Sequence, residues 1–366
     1  MFFYMPTKVF DGDNCIAENA GAFSKLGKKA LVVTGKNSAR ICGALSDVVD
    51  ALNAVKVEYV IFDKIMSNPT VEVVYEGAEL AMKENVDFVI GIGGGSPMDA
   101  AKAIALLFEN SDLAPEDFLN KKYVDKALPL ALVPTTCGTG SEVTPYAVIT
   151  NDFRRTKSSV SCDSTFAKCA FVCNKYLRFM SKDTLINTAF DAFSHNAEGY
   201  VSVRSNYVSD MLALDGIRLF AECIPALREG NITDEVYDKL MKASVLGGMV
   251  ISHTGTCAVH SLGYSYTYFK SVDHGRANAI LFPEFLRFVE RVMPDRSEKI
   301  LKAIGYESVD CLKKGFGELL GSVTMLTDEE VDLFTEIGLA APSIKNSSAC
   351  PDKAEIERIY KASMGY

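Results

Sequence analysis

Only four histidines occur in this 366-residue chain, His195, His253, His260 and His274, and three of them stand where coordination chemistry is possible. In Asp191-Ala-Phe-Ser-His195 a carboxylate and an imidazole are four residues apart, so on a helix both project from one face toward one point. A metal ion can bridge such a pair; an ordinary side-chain or helix-dipole interaction uses the same spacing. His260 lies in Gly255-Thr-Cys-Ala-Val-His260-Ser-Leu-Gly-Tyr264, a small and apolar stretch. An imidazole there is costly unless a metal or a backbone carbonyl satisfies it. His274 follows in Val272-Asp273-His274-Gly275-Arg276-Ala277-Asn278, just ahead of another helical segment, where a loop-held ligand can meet helix-held ones. One carboxylate and three imidazoles suit Fe2+ or Zn2+ and leave open positions for a substrate oxygen.

A second chemistry is written in glycines. The apolar run Phe88 to Ile92 leads directly into Gly93-Gly94-Gly95-Ser96-Pro97-Met98-Asp99-Ala100-Ala101-Lys102, a strand, a glycine turn and a helix start in that order. Glycines let backbone N–H groups approach an anion, Ser96 can donate or cap, and the helix dipole adds partial positive charge. A dinucleotide pyrophosphate fits; a plain tight turn is the alternative. A further loop, Val133-Pro134-Thr135-Thr136-Cys137-Gly138-Thr139-Gly140-Ser141-Glu142, offers hydroxyls and glycines for a ribose or the nicotinamide amide. Such loops also stabilise turns by local side-chain bonds.

The elements that must carry these groups follow from periodicity. Ala30 to Thr34, Val57 to Phe62, Phe88 to Ile92 and Leu128 to Val133 read as strands, separated by amphipathic stretches such as Val71 to Lys83, which begins after Asn68-Pro69-Thr70. Alternating β and α units predict a mostly parallel sheet with helices on both faces and ligands at the carboxyl ends of its strands. Residues 151 to 175 are harder to read and hold room for one or two extra strands, such as Ala170 to Cys173. Beyond about 181 strand signals fade, and Lys182 to Ser202, Ser209 to Arg228, Glu235 to Ser252 and Arg276 to Val292 read as helices. Two domains are expected, residues 1–180 and residues 181–366, the second all-helical.

Composition narrows the function. A net charge of -9, with no basic tract interleaved with aromatics, disfavours nucleic acid. No hydrophobic run reaches the ~18 to 20 residues of a membrane span, and Met1 to Phe10 lacks the features of an export signal, so a cytoplasmic location is expected. The ten cysteines form no CxxC pair, which argues against a zinc knuckle or dithiol motif and for buried small hydrophobes in a reducing compartment.

Together these segments resemble the iron-containing, or group III, alcohol dehydrogenase family over nearly the whole chain. Residues 93–102 are similar to its pyrophosphate turn, residues 134–144 to its second cofactor loop, and residues 191–200 with His260 and His274 to its metal signatures. The resemblance implies a Rossmann-like N-terminal domain with a parallel sheet, an all-α C-terminal domain in a dehydroquinate synthase-like architecture, and a cofactor cleft between them. It assigns Asp191, His195, His260 and His274 as metal ligands. It places Asn68, Gly94, Gly95, Ser96, Asp99, Thr135, Thr136 and Thr139 around the cofactor and Lys157 near the nicotinamide ribose. Two positions depart from the pattern: Tyr264 stands where many members carry a proton-relaying histidine, leaving its hydroxyl as the candidate relay, and Ala189 stands where glycine is common.

After the first strand a carboxylate would normally bind the adenine ribose 2′-hydroxyl. Here the strand ends in Gly35-Lys36-Asn37-Ser38, with no acid and three groups able to meet a phosphate, so NADP(H) is expected over NAD(H), unless these residues only form the turn. The expected activity is hydride transfer between a nicotinamide cofactor and a small primary alcohol or aldehyde, the metal acting as Lewis acid on the substrate oxygen. A homodimer is expected. The alternatives are a polyol dehydrogenase or dehydroquinate-synthase-like lyase on the same scaffold, for which residues 181–280 offer few clustered cations beyond Arg276, and a non-catalytic cofactor-binding or assembly module.

Overall fold

The computed structural model of the chain describes residues 2–153 and 156–365. It divides into two compact units, one comprising Met5–Thr136 and Gly140–Met180, the other Ser181–Tyr366 with the short segments Met1–Tyr4 and Cys137–Thr139.

In the first unit Lys8–Asp11 (β1), Lys29–Gly35 (β2), Glu58–Ile65 (β3), Phe88–Gly93 (β4), Leu130–Pro134 (β5) and Cys169–Val172 (β8) form one sheet in the order β1-β8-β5-β4-β2-β3. Every pairing in it is parallel. Ala147–Asn151 (β6) and Thr156–Val160 (β7) make a separate antiparallel pair. Alternation along the strands decides which face each side chain serves. Leu31, Val33, Val89, Leu130 and Leu132 point to one face, where Val71–Lys83 (α2) and Gly95–Phe108 (α3) cover them with Val74, Ala78, Ala101 and Ile104. Ala30, Val32, Ile90, Ile92, Ala131 and Val133 point to the other, under Leu45, Val48 and Leu52 of Ala44–Ala54 (α1).

The helix after β2 therefore lies on one face and the helix after β4 on the other, while β2 and β4 are neighbours. Their connections diverge at the carboxyl ends, the usual ligand position in an open parallel sheet. The expected parallel α/β architecture is thus observed. Two features differ from the sequence reading. β1, half-exposed at the sheet edge, has too little alternation to announce itself. The β6–β7 pair starts at Ala147, after the 133–142 loop and ahead of residues 151–175, where extra strands were expected.

The second unit is helical: Lys182–Tyr200 (α4), Tyr207–Glu229 (α5), Asp234–Thr254 (α6), Ala258–Lys270 (α7), His274–Val292 (α8), Pro294–Ile304 (α9), Val309–Leu320 (α10), Asp328–Ala340 (α11) and Lys353–Ser363 (α12). Helix α4 starts at a Ser181 cap, whose Oγ accepts the Thr184 N–H at 3.1 Å, and is buried almost continuously from Leu185 onward. Phe190 and Phe193 pack in edge-on and tilted geometry against Phe220, Phe282 and Phe316 from α5, α8 and α10. A helix enclosed in this way can present polar groups to a dry interior, which is what its sequence carries. The structure corrects one expectation: His274 is not on a loop but is the first residue of α8. Among the described residues no helix is long and apolar enough to cross a membrane.

Candidate functional site

The glycine turn sits at the carboxyl end of β4 with close neighbours on every side. Gly93 has φ +148°, and a Cβ there would lie 2.6 Å from Pro97 Cγ. A Cβ on Gly94 would lie 3.1 Å from Thr136 Cγ2, and one on Gly91 would lie 2.8 Å from both Ala101 and Leu132. The turn is thus seated directly on helix and strand, as an anion-binding turn needs. Helix α3 begins at Gly95 with no side-chain cap, so the first N–H groups of a fourteen-residue helix are available to an anion.

Neighbouring predicted residues gather at this turn. The Asn68 N–H donates to Ser96 Oγ at 3.2 Å, and the Thr150 hydroxyl donates to the Asn68 carbonyl at 3.0 Å. Lys157 stands opposite Thr150 in the β6–β7 register. The Thr135 N–H donates to the Gly93 carbonyl at 2.8 Å, which ties the second loop to the turn. Gly35 closes β2, with Lys36, Asn37 and Ser38 exposed after it. Thr139, by contrast, belongs with Cys137 and Gly138 to the helical unit.

Asp99 has a different setting from the other residues of that group. Its carboxylate accepts the Ser141 hydroxyl at 2.5 Å and the Val148 N–H at 3.0 Å, and lies 3.6 Å from Lys102 Nζ. Lys102 is wholly buried and donates to Ser141 Oγ at 2.6 Å and to the Tyr146 carbonyl at 2.7 Å. Burial draws its pKa down to about 8, against the opposing pull of Asp99 and Glu142. Burial likewise raises Asp99, and takes the buried Glu142 up to about 7. This cluster fastens α3 to the segment 141–148 beneath the turn.

In the helical unit three imidazoles converge on one carboxylate oxygen. Asp191 Oδ1 lies 3.9 Å from His195 Nε2, 3.7 Å from His260 Nε2 and 3.9 Å from His274 Nε2. Candidate ligand atoms of Asp191, His195 and His260 all fall within 4.8 Å of one another, and those three residues are buried. The separations are too long for hydrogen bonds. They are a few tenths of an ångström wider than the roughly 3.4 Å between tetrahedral ligands about 2.1 Å from a common ion.

The outward nitrogens settle what faces inward. His195 Nδ1 lies 3.2 Å from the Gly138 carbonyl, and His260 Nδ1 bonds the Glu198 carboxylate. Both partners only accept, so each Nδ1 carries a proton and Nε2 is the nitrogen left facing Asp191 Oδ1. A carboxylate faced by three imidazole edges favours positive charge between them, supplied by a metal ion or, with none bound, by a proton on His260. The same demand is visible in the protonation equilibria. Burial disfavours charge on Asp191 and His260, but the imidazoles hold Asp191 far below the usual carboxylate range, while Glu198 and Asp191 raise His260 to about 9. Burial depresses His195. The donor set fits a divalent cation.

Several residues that shape this centre escaped the sequence reading. Glu198, fully buried, accepts the Val259 and His260 N–H groups at 2.5 and 3.3 Å besides the His260 ring. The Asn278 amide donates to Asp191 Oδ1 at 3.3 Å and faces His260 Nε2 at 3.2 Å. Asn187 donates to Asp273 Oδ2 at 2.7 Å, anchoring the residue before His274. Their spacing was the available signal: Asn187, Asp191, His195 and Glu198 fall on one face of α4, and Asn278 is one turn after His274. Tyr264 stacks on the His274 ring, centroids 5.2 Å apart and planes 16° from parallel.

Known proteins resemble the chain over nearly its whole length. Residues 6–173 match the family described as iron-containing alcohol dehydrogenase, and residues 185–364 match its C-terminal counterpart. The chain is similar in structure to an iron-containing alcohol dehydrogenase from Thermotoga maritima, with 35% identity, a TM-score of 0.93 and coverage of 100% of this chain and 99% of that one. It is 30% identical over 308 residues, 83% of this chain and 78% of the relative, to the NADPH-dependent butanol dehydrogenase of Clostridium saccharobutylicum. It is 29% identical over 280 residues, 76% of this chain and 72% of the relative, to the lactaldehyde reductase of Escherichia coli strain K12. These relatives do not favour a lyase or a non-catalytic module. With a parallel-sheet unit, a helical unit and a cation-demanding carboxylate–histidine cluster in place, the chain belongs to the iron-containing alcohol dehydrogenase family, metal-dependent enzymes that interconvert alcohols and aldehydes with a nicotinamide dinucleotide.

Proposed function

We propose that Asp191, His195, His260 and His274 hold one divalent cation, Fe2+ or Zn2+, and that the enzyme uses it with NADP(H) to interconvert small primary alcohols and aldehydes. The observation that carries this reading is the convergence of three Nε2 atoms on Asp191 Oδ1 with two of the opposite ring nitrogens tied to acceptors. When bound, the cation supplies Lewis acidity toward the substrate oxygen and the nicotinamide carries the hydride. The residues of the chain prepare those roles. The Gly138 carbonyl fixes the His195 tautomer, and Asp191, His195 and His260 are buried while His274 is partly exposed, on the side open to a substrate. Tyr264, lying on His274, is proposed to relay the alcohol proton through its hydroxyl.

For the cofactor, Gly94, Gly95 and Ser96 are proposed to receive the pyrophosphate at the start of α3, with Thr135 and Thr136 beside them and Asp99 bracing the helix from behind. Asn68, Thr139 and Lys157 are assigned to the nicotinamide half. Gly35, Lys36, Asn37 and Ser38 are assigned to the adenine ribose, where an exposed cation and no acid favour a 2′-phosphate. The NADPH dependence named for the clostridial relative supports the same choice. A cytoplasmic homodimer acting on butanal-like or lactaldehyde-like substrates is the working form of the proposal. Its test is NADPH oxidation with butanal after reconstitution with Fe2+ or Zn2+. His195→Ala should abolish turnover while NADPH binding persists; near wild-type turnover in metal-stripped His195→Ala would overturn the ligand assignment.

A further inference from the structure

Glu198 is the most deeply buried side-chain carboxylate in the helical unit, with no exposed surface. An isolated carboxylate at such depth would be neutralised or strongly destabilising. Here three N–H donors meet it: the Val259 and His260 backbone groups at the start of α7 and the His260 ring at Nδ1. The backbone pair alone would make Glu198 a helix cap supplied from another helix, since Cys257 gives α7 no side-chain cap of its own. The ring contact adds something a cap does not need. A carboxylate cannot donate, so it commits His260 to the Nδ1–H tautomer, turns Nε2 toward Asp191, and makes the imidazole a stronger donor to a cation.

We propose that Glu198 is a positioning residue for the metal centre, setting the tautomer and donor strength of His260 and supplying a second carboxylate charge beside Asp191. This rests on the proposed metal site. Glu198 places a second carboxylate beside Asp191, so a cation held by Asp191 and His260 meets two carboxylates within one buried cluster rather than one. Glu198 lies three residues after His195 and seven after Asp191, so α4 carries two ligands and the support for a third on one face.

Glu198→Gln separates capping from tautomer control. Glutamine keeps one oxygen that can cap α7, but it lacks the charge, and its NH2 group turned to His260 would force the proton onto Nε2 and remove that ligand. Zn2+ affinity is measured on the full chain by competition with a chromophoric chelator, with NADPH affinity from nucleotide fluorescence beside it. The expected result is Zn2+ binding weakened about 10- to 100-fold in Glu198→Gln with NADPH affinity unchanged. Affinity within twofold of the parent would overturn the inference while leaving the metal site intact. If instead His260→Ala binds Zn2+ as tightly as the parent, the metal assignment itself fails, and this inference with it. Should Glu198→Gln not fold, 15N-histidine spectra of the Zn2+-loaded parent chain decide, with only four imidazoles to assign. A His260 signal protonated at Nδ1 supports the inference, and one protonated at Nε2 refutes it.

Discussion

Removing the Asp99 carboxylate tests whether the glycine turn is held from behind by a buried charge pair. In Asp99→Asn the fully buried Lys102 ammonium loses its nearest opposite charge, 3.6 Å away, while the side-chain shape is kept. Breaking a buried pair on one side costs about 3–5 kcal/mol, because the remaining charge is left uncompensated. For a unit of residues 5–136 and 140–180 that corresponds to a fall of roughly 6–20 °C in the midpoint of its thermal transition. The sign of the pH dependence is fixed by Lys102. Its folded pKa of about 8 lies below its ordinary value of 10.5, so between those values the unfolded chain binds more protons and stability rises with pH. Loss of Asp99 depresses the folded pKa further, so the penalty should be largest near about pH 7 and shrink near about pH 9.5, where Lys102 is neutral in the parent as well. Circular dichroism melts of parent and variant at those two pH values measure it. A penalty below about 1 kcal/mol, or one that does not change with pH, would refute the charge-pair account.

Two further outcomes follow from the same unit. Glu142, raised by burial to about 7 from an ordinary 4.5, contributes stability that is complete below about 4.5 and lost as pH rises through about 7. Glu142→Gln should therefore melt higher than the parent near about pH 8 and equally near about pH 4.5, and an equal difference at both would contradict this. Lys36→Ala, at an exposed position beside the assigned adenine ribose, should raise the KM for NADPH about fivefold at low salt, less at high salt, and leave that for NADH unchanged. A parallel rise for both nucleotides would remove the 2′-phosphate assignment.

Most of the frame was legible because its signals are local. Val32 and Val33 sit in a continuous apolar run that only a strand covered on both faces accommodates, and the glycines at 93–95 announce the turn without reference to anything distant. The Asp191–His195 pair was legible because one helix carries both. Groups whose meaning depends on distant partners were not. Glu198 in isolation is one more acid in a helix; its role appears only when Val259 and His260 are brought to it from 61 and 62 residues away. Lys102 looks like a surface lysine until Ser141, Thr144 and Tyr146 close over it. β1 escaped notice for the opposite reason, since an edge strand with one buried neighbour needs little hydrophobic patterning.

The central claim is that one carboxylate and three imidazoles bind a single divalent cation. X-ray absorption at the zinc K-edge of chain reconstituted with one equivalent of Zn2+ tests it most directly. The account predicts nitrogen and oxygen neighbours only, at about 2.0–2.2 Å, with multiple scattering from three imidazoles. Sulfur at about 2.3 Å, drawn from any of the ten cysteines, or scattering from fewer than three imidazoles would contradict it.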